Sequence, residues 1–173
     1  NARKTDIFLK KYLDKQTFSD LVPPMKHGSL SGGKKIRSSV VLGTGKLFNI
    51  NTVKLLNICA AVECIHSYSL IHDDLPCMDN DRMRRGKLAA HIKLGESTAI
   101  LAGNSLLTLA FEIIVDKNYK IDNKAKTELV KILAFCSGHT GIAGGQYLDL
   151  SFEKKKKKFS DILDMQIKKT GKL

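Results

Sequence analysis

The stretch Asn51–Gly86, NTVKLLNICAAVECIHSYSLIHDDLPCMDNDRMRRG, decides the reading of this chain. It opens with Asn51-Thr52, a plausible helix cap, and continues as an apolar run at helical spacing to about Asp74. Pro76 stops or bends that helix. The remainder is acidic and then basic: Asp73, Asp74, Asp79 and Asp81 fall within nine residues, and Arg84-Arg85 follows. Carboxylates this close repel one another unless a cation lies between them. Carboxylate oxygens favour Mg²⁺ over zinc. Mg²⁺ takes one or two protein carboxylates and completes its shell with water and phosphate oxygens, so a site of this type is also a phosphate site. The arginine pair agrees, because guanidinium forks suit phosphate. His66 and Asp73 are seven apart and share a helix face, with Glu63 one turn before His66. Asp79 is six beyond Asp73, on a different side of any straight helix. The break at Pro76 lets it fold back over the helix end.

Outward from this stretch the chain reads as helices joined by short loops. An apolar stripe at Ile7, Phe8, Leu9, Tyr12 and Leu13 predicts a first helix, ended or turned by Pro23-Pro24. Gly28 to Gly33 reads as a Gly/Ser loop, and Lys34 to Phe48 as a helix. Thr98–Val115, Lys124–Cys136 and Phe159–Lys169 are further helical segments, with a glycine-rich break at Gly138–Gly145 and a solvated lysine run at Lys154–Lys158. No β alternation stands out. The expectation is one all-α unit over 1–173, a helical bundle held by apolar helix faces.

The 173 residues suffice for one ordinary domain, and 43% apolar with 27% charged residues is a globular composition. The net charge of +12 first suggests nucleic acid or a membrane surface. Its make-up argues otherwise: 24 lysines stand against five arginines, three of which lie in or beside the aspartate stretch. No nucleic-acid motif is present and no aromatics interleave with the lysine run, so no nucleic-acid partner is expected. Cys59, Cys64, Cys77 and Cys136 form no CxxC pair, which suggests reduced thiols and a cytoplasmic setting. No apolar run is expected to reach the length of a membrane span, and no stable membrane insertion is expected.

Gly28–Lys35, GSLSGGKK, nearly matches a P-loop. It fails because Lys35 stands where a Mg²⁺-binding Ser or Thr belongs and no strand precedes it. What survives is an anion site where a loop opens a helix, with Lys34 and Arg37 on adjacent turns.

Taken in order, Gly32-Gly33-Lys34-Lys35-Ile36-Arg37, then His66 to Gly86, Ala99–Gly103, Gly144–Leu150 (GGQYLDL) and Lys169-Thr170-Gly171 resemble the motifs of trans-isoprenyl diphosphate synthases. The likeness is strongest to the short-chain, farnesyl-forming bacterial branch. It implies an all-helical bundle of the isoprenoid-synthase type around a central cavity, and, by analogy, a homodimer. It implies that Asp73, Asp74 and Asp79 hold Mg²⁺ against an allylic diphosphate, dimethylallyl or geranyl. Arg84, Lys169 and Thr170 match contacts to the same diphosphate; Gln146 and Asp149 match a polar pair facing the cavity. Lys34, Arg37, His66 and Arg85 match ligands of isopentenyl diphosphate. Tyr68, five residues before Asp73 and about 7.5 Å along the helix, matches the aromatic that limits chain length, which implies a farnesyl product.

The chain departs from this pattern in places. Ser38 stands where Pro is usual, Asn80 and Arg82 where further acidic residues occur, and Asn104 where Asp is common. The family's second aspartate-rich motif has no counterpart: Asp161-Ile162-Leu163-Asp164 lacks the paired aspartates, precedes Lys169-Thr170, and reads as a surface helix turn. The sequence therefore looks like the N-terminal portion of such an enzyme, with its C-terminal helices missing and little activity expected alone. A non-catalytic remnant or subunit is one alternative. An HD-type metal phosphohydrolase using His72-Asp73, with His27 and Asp149 as further ligands, is another.

Overall fold

A computed structural model of the protein describes residues 2–16 and 19–173. The chain divides into two compact units, residues 1–121 and 122–173.

The first unit contains α1 (Ala2–Asp14), α2 (Val22–Ser29), α3 (Ile36–Leu47), α4 (Thr52–Asp73), a hairpin of β1 (Met83–Arg84) and β2 (Lys87–Leu88), α5 (Ala90–Leu94) and α6 (Glu96–Val115). Helix α4 is the centre, with α1, α2, α3 and α6 packed around it. It is apolar on almost every side, and Leu55, Cys59, Ala60, Ala61, Val62, Cys64, Ile65, Tyr68 and Ile71 are all buried; an apolar surface that runs all round a helix belongs in a core. Asn51 caps it, its side chain accepting from the Val53 N–H at 2.9 Å. At the other end the Asp79 N–H donates to the Asp73 carbonyl at 2.9 Å, and the Asn80 N–H to Leu75 at 3.1 Å. The chain thus folds back over the helix end, as the Pro76 break predicts. Leu9 and Leu13 of α1 and Leu106, Ile113 and Ile114 of α6 complete the core.

Three local expectations are corrected. Pro23-Pro24 begins a helix: both sit in the first turn of α2, where a missing N–H costs nothing. That helix takes Gly28-Ser29 out of the loop. A short hairpin follows the aspartates, Met83 pairing with Leu88 and Arg84 with Lys87. Its tip, Arg85-Gly86, has φ of 53° and 74°, the left-handed pair that a two-residue hairpin turn requires. Finally, α6 is long and apolar enough to cross a membrane by length and composition. Its Ala99, Ala102, Leu106, Leu109, Ala110, Ile113 and Ile114 are buried inside the first unit, while Ile100, Leu101 and Val115 are exposed.

The second unit contains α7 (Asn123–Ser137), α8 (Ile142–Phe152), α9 (Phe159–Gln166) and a π-helical turn, Ile167–Gly171. Asp122 caps α7 through the Ala125 N–H at 3.3 Å. The π turn packs on α8 at Gly145, where an added Cβ would lie 2.2 Å from the Lys169 backbone nitrogen. Backbone cannot step aside as a side chain can. Gly145→Ala is expected to destabilise the chain by about 2 kcal/mol. Urea unfolding checks this, with Gly43→Ala, where an added Cβ meets nothing within 4 Å, as a comparison.

Candidate active site

The site is assembled around polar groups that α4 carries into its apolar surroundings. Glu63 is 1% exposed, and its Oε1 accepts from the Ser38 N–H at 3.2 Å and the Ser38 hydroxyl at 2.6 Å. Lys35, 3% exposed, lies at φ 49° immediately before α3. Its Nζ donates to the Ser29 carbonyl at 2.8 Å and lies 3.5 Å from Glu63 Oε2 and 3.3 Å from Asp6 Oδ1. The serine that departs from the family pattern is therefore consequential: proline would supply neither donor to Glu63.

This network turns Lys35 inward and leaves Lys34 exposed, with Arg37 half-buried. Lys34, Lys35, Ile36, Arg37, Glu63, His66 and Arg85 line one pocket of about 90 Å³. The four residues expected at an anion subsite are thus brought together. Arg37 Nε is buried without a hydrogen-bond partner, a guanidinium donor with capacity to spare. Arg85 reaches in from the hairpin tip, donating to the Gly32 carbonyl at 2.5 Å and to His66 Nε2 at 3.3 Å. Gly33, at φ 104°, admits it, since a Cβ there would sit 2.6 Å from the Arg85 guanidinium carbon.

A guanidinium only donates, so His66 Nε2 accepts and the neutral ring carries its proton on Nδ1. Burial, helped by Arg37, pushes His66 down to about 4 from an ordinary 6.5. Burial lowers Arg37 as well, against the pull of Glu63. The pocket is thus built from permanent cations and a neutral imidazole.

The aspartate stretch lies on the other side of the hairpin. Asp73 and Asp74 are buried and Asp79 is exposed. Arg84 Nε donates to Asp74 Oδ1 at 2.9 Å and Arg84 Nη2 bonds the same oxygen; Nη2 also reaches Asp81 Oδ2 at 2.9 Å. Burial raises the Asp74 carboxyl while Arg84 opposes it, and the bond to Asp74 raises Arg84. The carboxylates of Asp73, Asp74 and Asp79 do not converge: among the described residues no group of three His, Cys, Asp or Glu is placed to hold a metal ion. Their oxygen chemistry still suits Mg²⁺, which needs only one or two of them beside water and phosphate oxygens. Tyr68 is buried edge-on to His72, ring centroids 5.7 Å apart, and burial raises its hydroxyl.

In the second unit, Gln146 is buried on α8, and Lys169 Nζ lies 2.5 Å from Asp149 Oδ2. Thr170 is exposed beside it on the π turn. Asp164 pairs with Lys168 on the surface at 2.6 Å, as expected of a helix turn. The two histidines of the phosphohydrolase alternative each engage a backbone carbonyl through one ring nitrogen. His72 Nε2 lies 3.1 Å from the Ile100 carbonyl and His27 Nε2 2.9 Å from the Leu88 carbonyl.

The Lys35–Glu63–Ser38 network was missed as a functional element. Its one signal was a lone carboxylate within Ala60-Ala61-Val62-Glu63-Cys64-Ile65. The Arg84–Asp74 pair had no signal beyond proximity in sequence.

The folded state refuses a proton at His66 until about pH 4, whereas the unfolded chain accepts one near 6.5. The unfolded state therefore binds more protons in between, and stability falls as pH drops from 6.5 toward 4. In His66→Gln this part of the acid sensitivity is expected to vanish. Urea unfolding of both proteins at pH 7 and pH 5 checks it.

The comparisons agree with this layout. The chain is 45% identical to farnesyl diphosphate synthase of Escherichia coli (strain K12) over 154 residues, 88% of this chain and 52% of that protein. Identity to the enzyme of the same name from Buchnera aphidicola subsp. Acyrthosiphon pisum (strain APS) is 44%, over 88% and 55% respectively. Among solved structures, an FPP/GFPP synthase from Zymomonas mobilis superposes with a TM-score of 0.92 at 38% identity, covering 99% of this chain and 63% of that one. A geranyltransferase from Legionella pneumophila gives 0.93 at 34%, covering 98% and 61%. The chain thus spans about half the length of the curated relatives it matches. The family model described as polyprenyl synthetase matches residues 19–173, across both units and every motif above, and the chain belongs to that family.

Proposed function

We propose that this chain carries the diphosphate-handling half of a trans-prenyltransferase that joins isopentenyl diphosphate to dimethylallyl or geranyl diphosphate and yields farnesyl diphosphate. The observation that carries the reading is the pocket of Lys34, Arg37, Arg85 and neutral His66, one hairpin away from buried Asp73-Asp74. On this reading the two units are parts of one polyprenyl synthetase domain, because the family match crosses their boundary. The protein works in the cytoplasm as a homodimer, in line with its four free cysteines and with the family likeness.

Lys34, Arg37 and Arg85 bind the diphosphate of isopentenyl diphosphate, and His66 offers it an Nδ1–H. Arg84 serves the allylic diphosphate; for Lys169, Thr170 and Gln146 of the second unit, the family likeness supports a substrate-binding role. Mg²⁺, held by Asp73, Asp74 and Asp79, would neutralise charge on that leaving diphosphate. As the allylic C–O bond breaks, its electron pair departs with the diphosphate. The fixed cations stabilise that developing charge without reorganising. The isopentenyl double bond supplies the electrons of the new C–C bond; the adjacent carbon then gives its proton to the released diphosphate, and the C–H electrons form the product's new double bond. No protein nucleophile is needed, and none of the gathered residues is one.

The test uses labelled isopentenyl diphosphate with geranyl diphosphate and Mg²⁺. The chain alone is expected to make little product. Fused to the remaining half of a homologous synthase, it makes farnesyl diphosphate, and Asp74→Asn in the fusion lowers the rate at least ~100-fold. Tyr68→Ala in the fusion shifts products to longer chains. An inactive fusion whose fold and dimer are intact overturns the reading and favours the non-catalytic alternative.

A further inference from the structure

Two buried, oppositely charged side chains meet at the base of the anion pocket. Lys35 Nζ and Glu63 Oε2 are 3.5 Å apart, with side chains 0% and 1% exposed. A buried ion pair is poor evidence of stability, since desolving both charges offsets their attraction. Its effect here is geometric. Glu63 Oε2 draws Lys35 inward, and Glu63 Oε1 takes both Ser38 donors, at 3.2 and 2.6 Å. The residues gripped, 35 and 38, alternate with the two that line the pocket as free cations, Lys34 and Arg37. The Ser38 carbonyl is held in turn by Cys59, whose Sγ lies 3.6 Å away. Lys35 occupies a left-handed backbone conformation, φ 49°, which non-glycine residues adopt only where their surroundings hold them.

We propose that Glu63 is a positioning residue: its carboxylate, through Lys35 and Ser38, fixes the loop so that Lys34 and Arg37 project into the pocket beside His66. The proposal deepens the diphosphate reading and rests on it for the ligand, though not for the ordering of the loop. It also makes a prediction opposite in sign to simple electrostatics. Glu63 is the one anionic side chain lining this pocket among the described residues. Acting only through its charge, it would weaken anion binding, and Glu63→Gln would tighten it. Acting as a positioner, it strengthens binding, because a glutamine NH₂ facing the Lys35 ammonium releases the loop.

The experiment uses the chain as it stands. Binding of inorganic pyrophosphate is measured by calorimetry, and backbone ¹⁵N order parameters are measured for residues 32–38. Glu63→Gln is expected to bind pyrophosphate about tenfold more weakly, with lowered order across 32–38 and unchanged order in α6. Ser38→Ala removes only the hydroxyl donor and is expected to do the same to a smaller degree; it decides the matter if Glu63→Gln does not fold. Tighter binding in Glu63→Gln, or unchanged order in the folded variants, overturns the proposal. If the unmodified chain binds no pyrophosphate, the diphosphate reading fails, and the order parameters alone uphold or overturn the positioning role.

Discussion

A helix buried on almost every side cannot carry Glu63 and His66, and end at buried Asp74, unless something meets each of them. That constraint on α4 organises the first unit. The residues meeting these groups come from two places: the loop before α3, which brings Lys35 and Ser38 to Glu63, and the hairpin, which brings Arg85 to His66 and Arg84 to Asp74. The fold and the site are thus one solution. The same contacts that make it tolerable to bury these polar groups also gather the cations that suit a diphosphate.

The charges are arranged as layers. Deepest is the Lys35–Glu63 pair, which nearly cancels itself. Above it lie Arg37 and Arg85, with His66 kept neutral by its surroundings. A positive pocket over a self-neutralised base keeps its cations oriented without filling the core with like charge. Across the hairpin the sign reverses, and buried Asp74 and exposed Asp81 hold Arg84. A diphosphate ester and a metal-bound diphosphate ask for these two opposite environments.

Local signals in the sequence were sufficient for α4, its Asn51 cap and its stop, because capping and proline act over a few residues. They also marked Lys34, Arg37, His66 and Arg85, which the structure gathers in one pocket. The start of α2 was misread because proline breaks a helix interior yet suits a first turn, and only the following packing decides which applies. The hairpin was invisible because two-residue strands leave no alternation, and its Arg-Gly turn lacks the usual Asn or Asp. The roles of Lys35 and Ser38 were hidden for a different reason. Their partner is Glu63, 25 residues beyond Ser38, and no periodicity within one helix reports a bond between two.

Arg84 and Arg85 are neighbours in the chain, so their Cα atoms stand about 3.8 Å apart across a trans peptide. One engages the aspartates and the other the anion pocket. The two arginines therefore share one backbone anchor while their side chains diverge to opposite kinds of partner. A displacement of the hairpin tip moves both contacts together. On the proposed reading, the grip on one diphosphate is mechanically tied to the grip on the other.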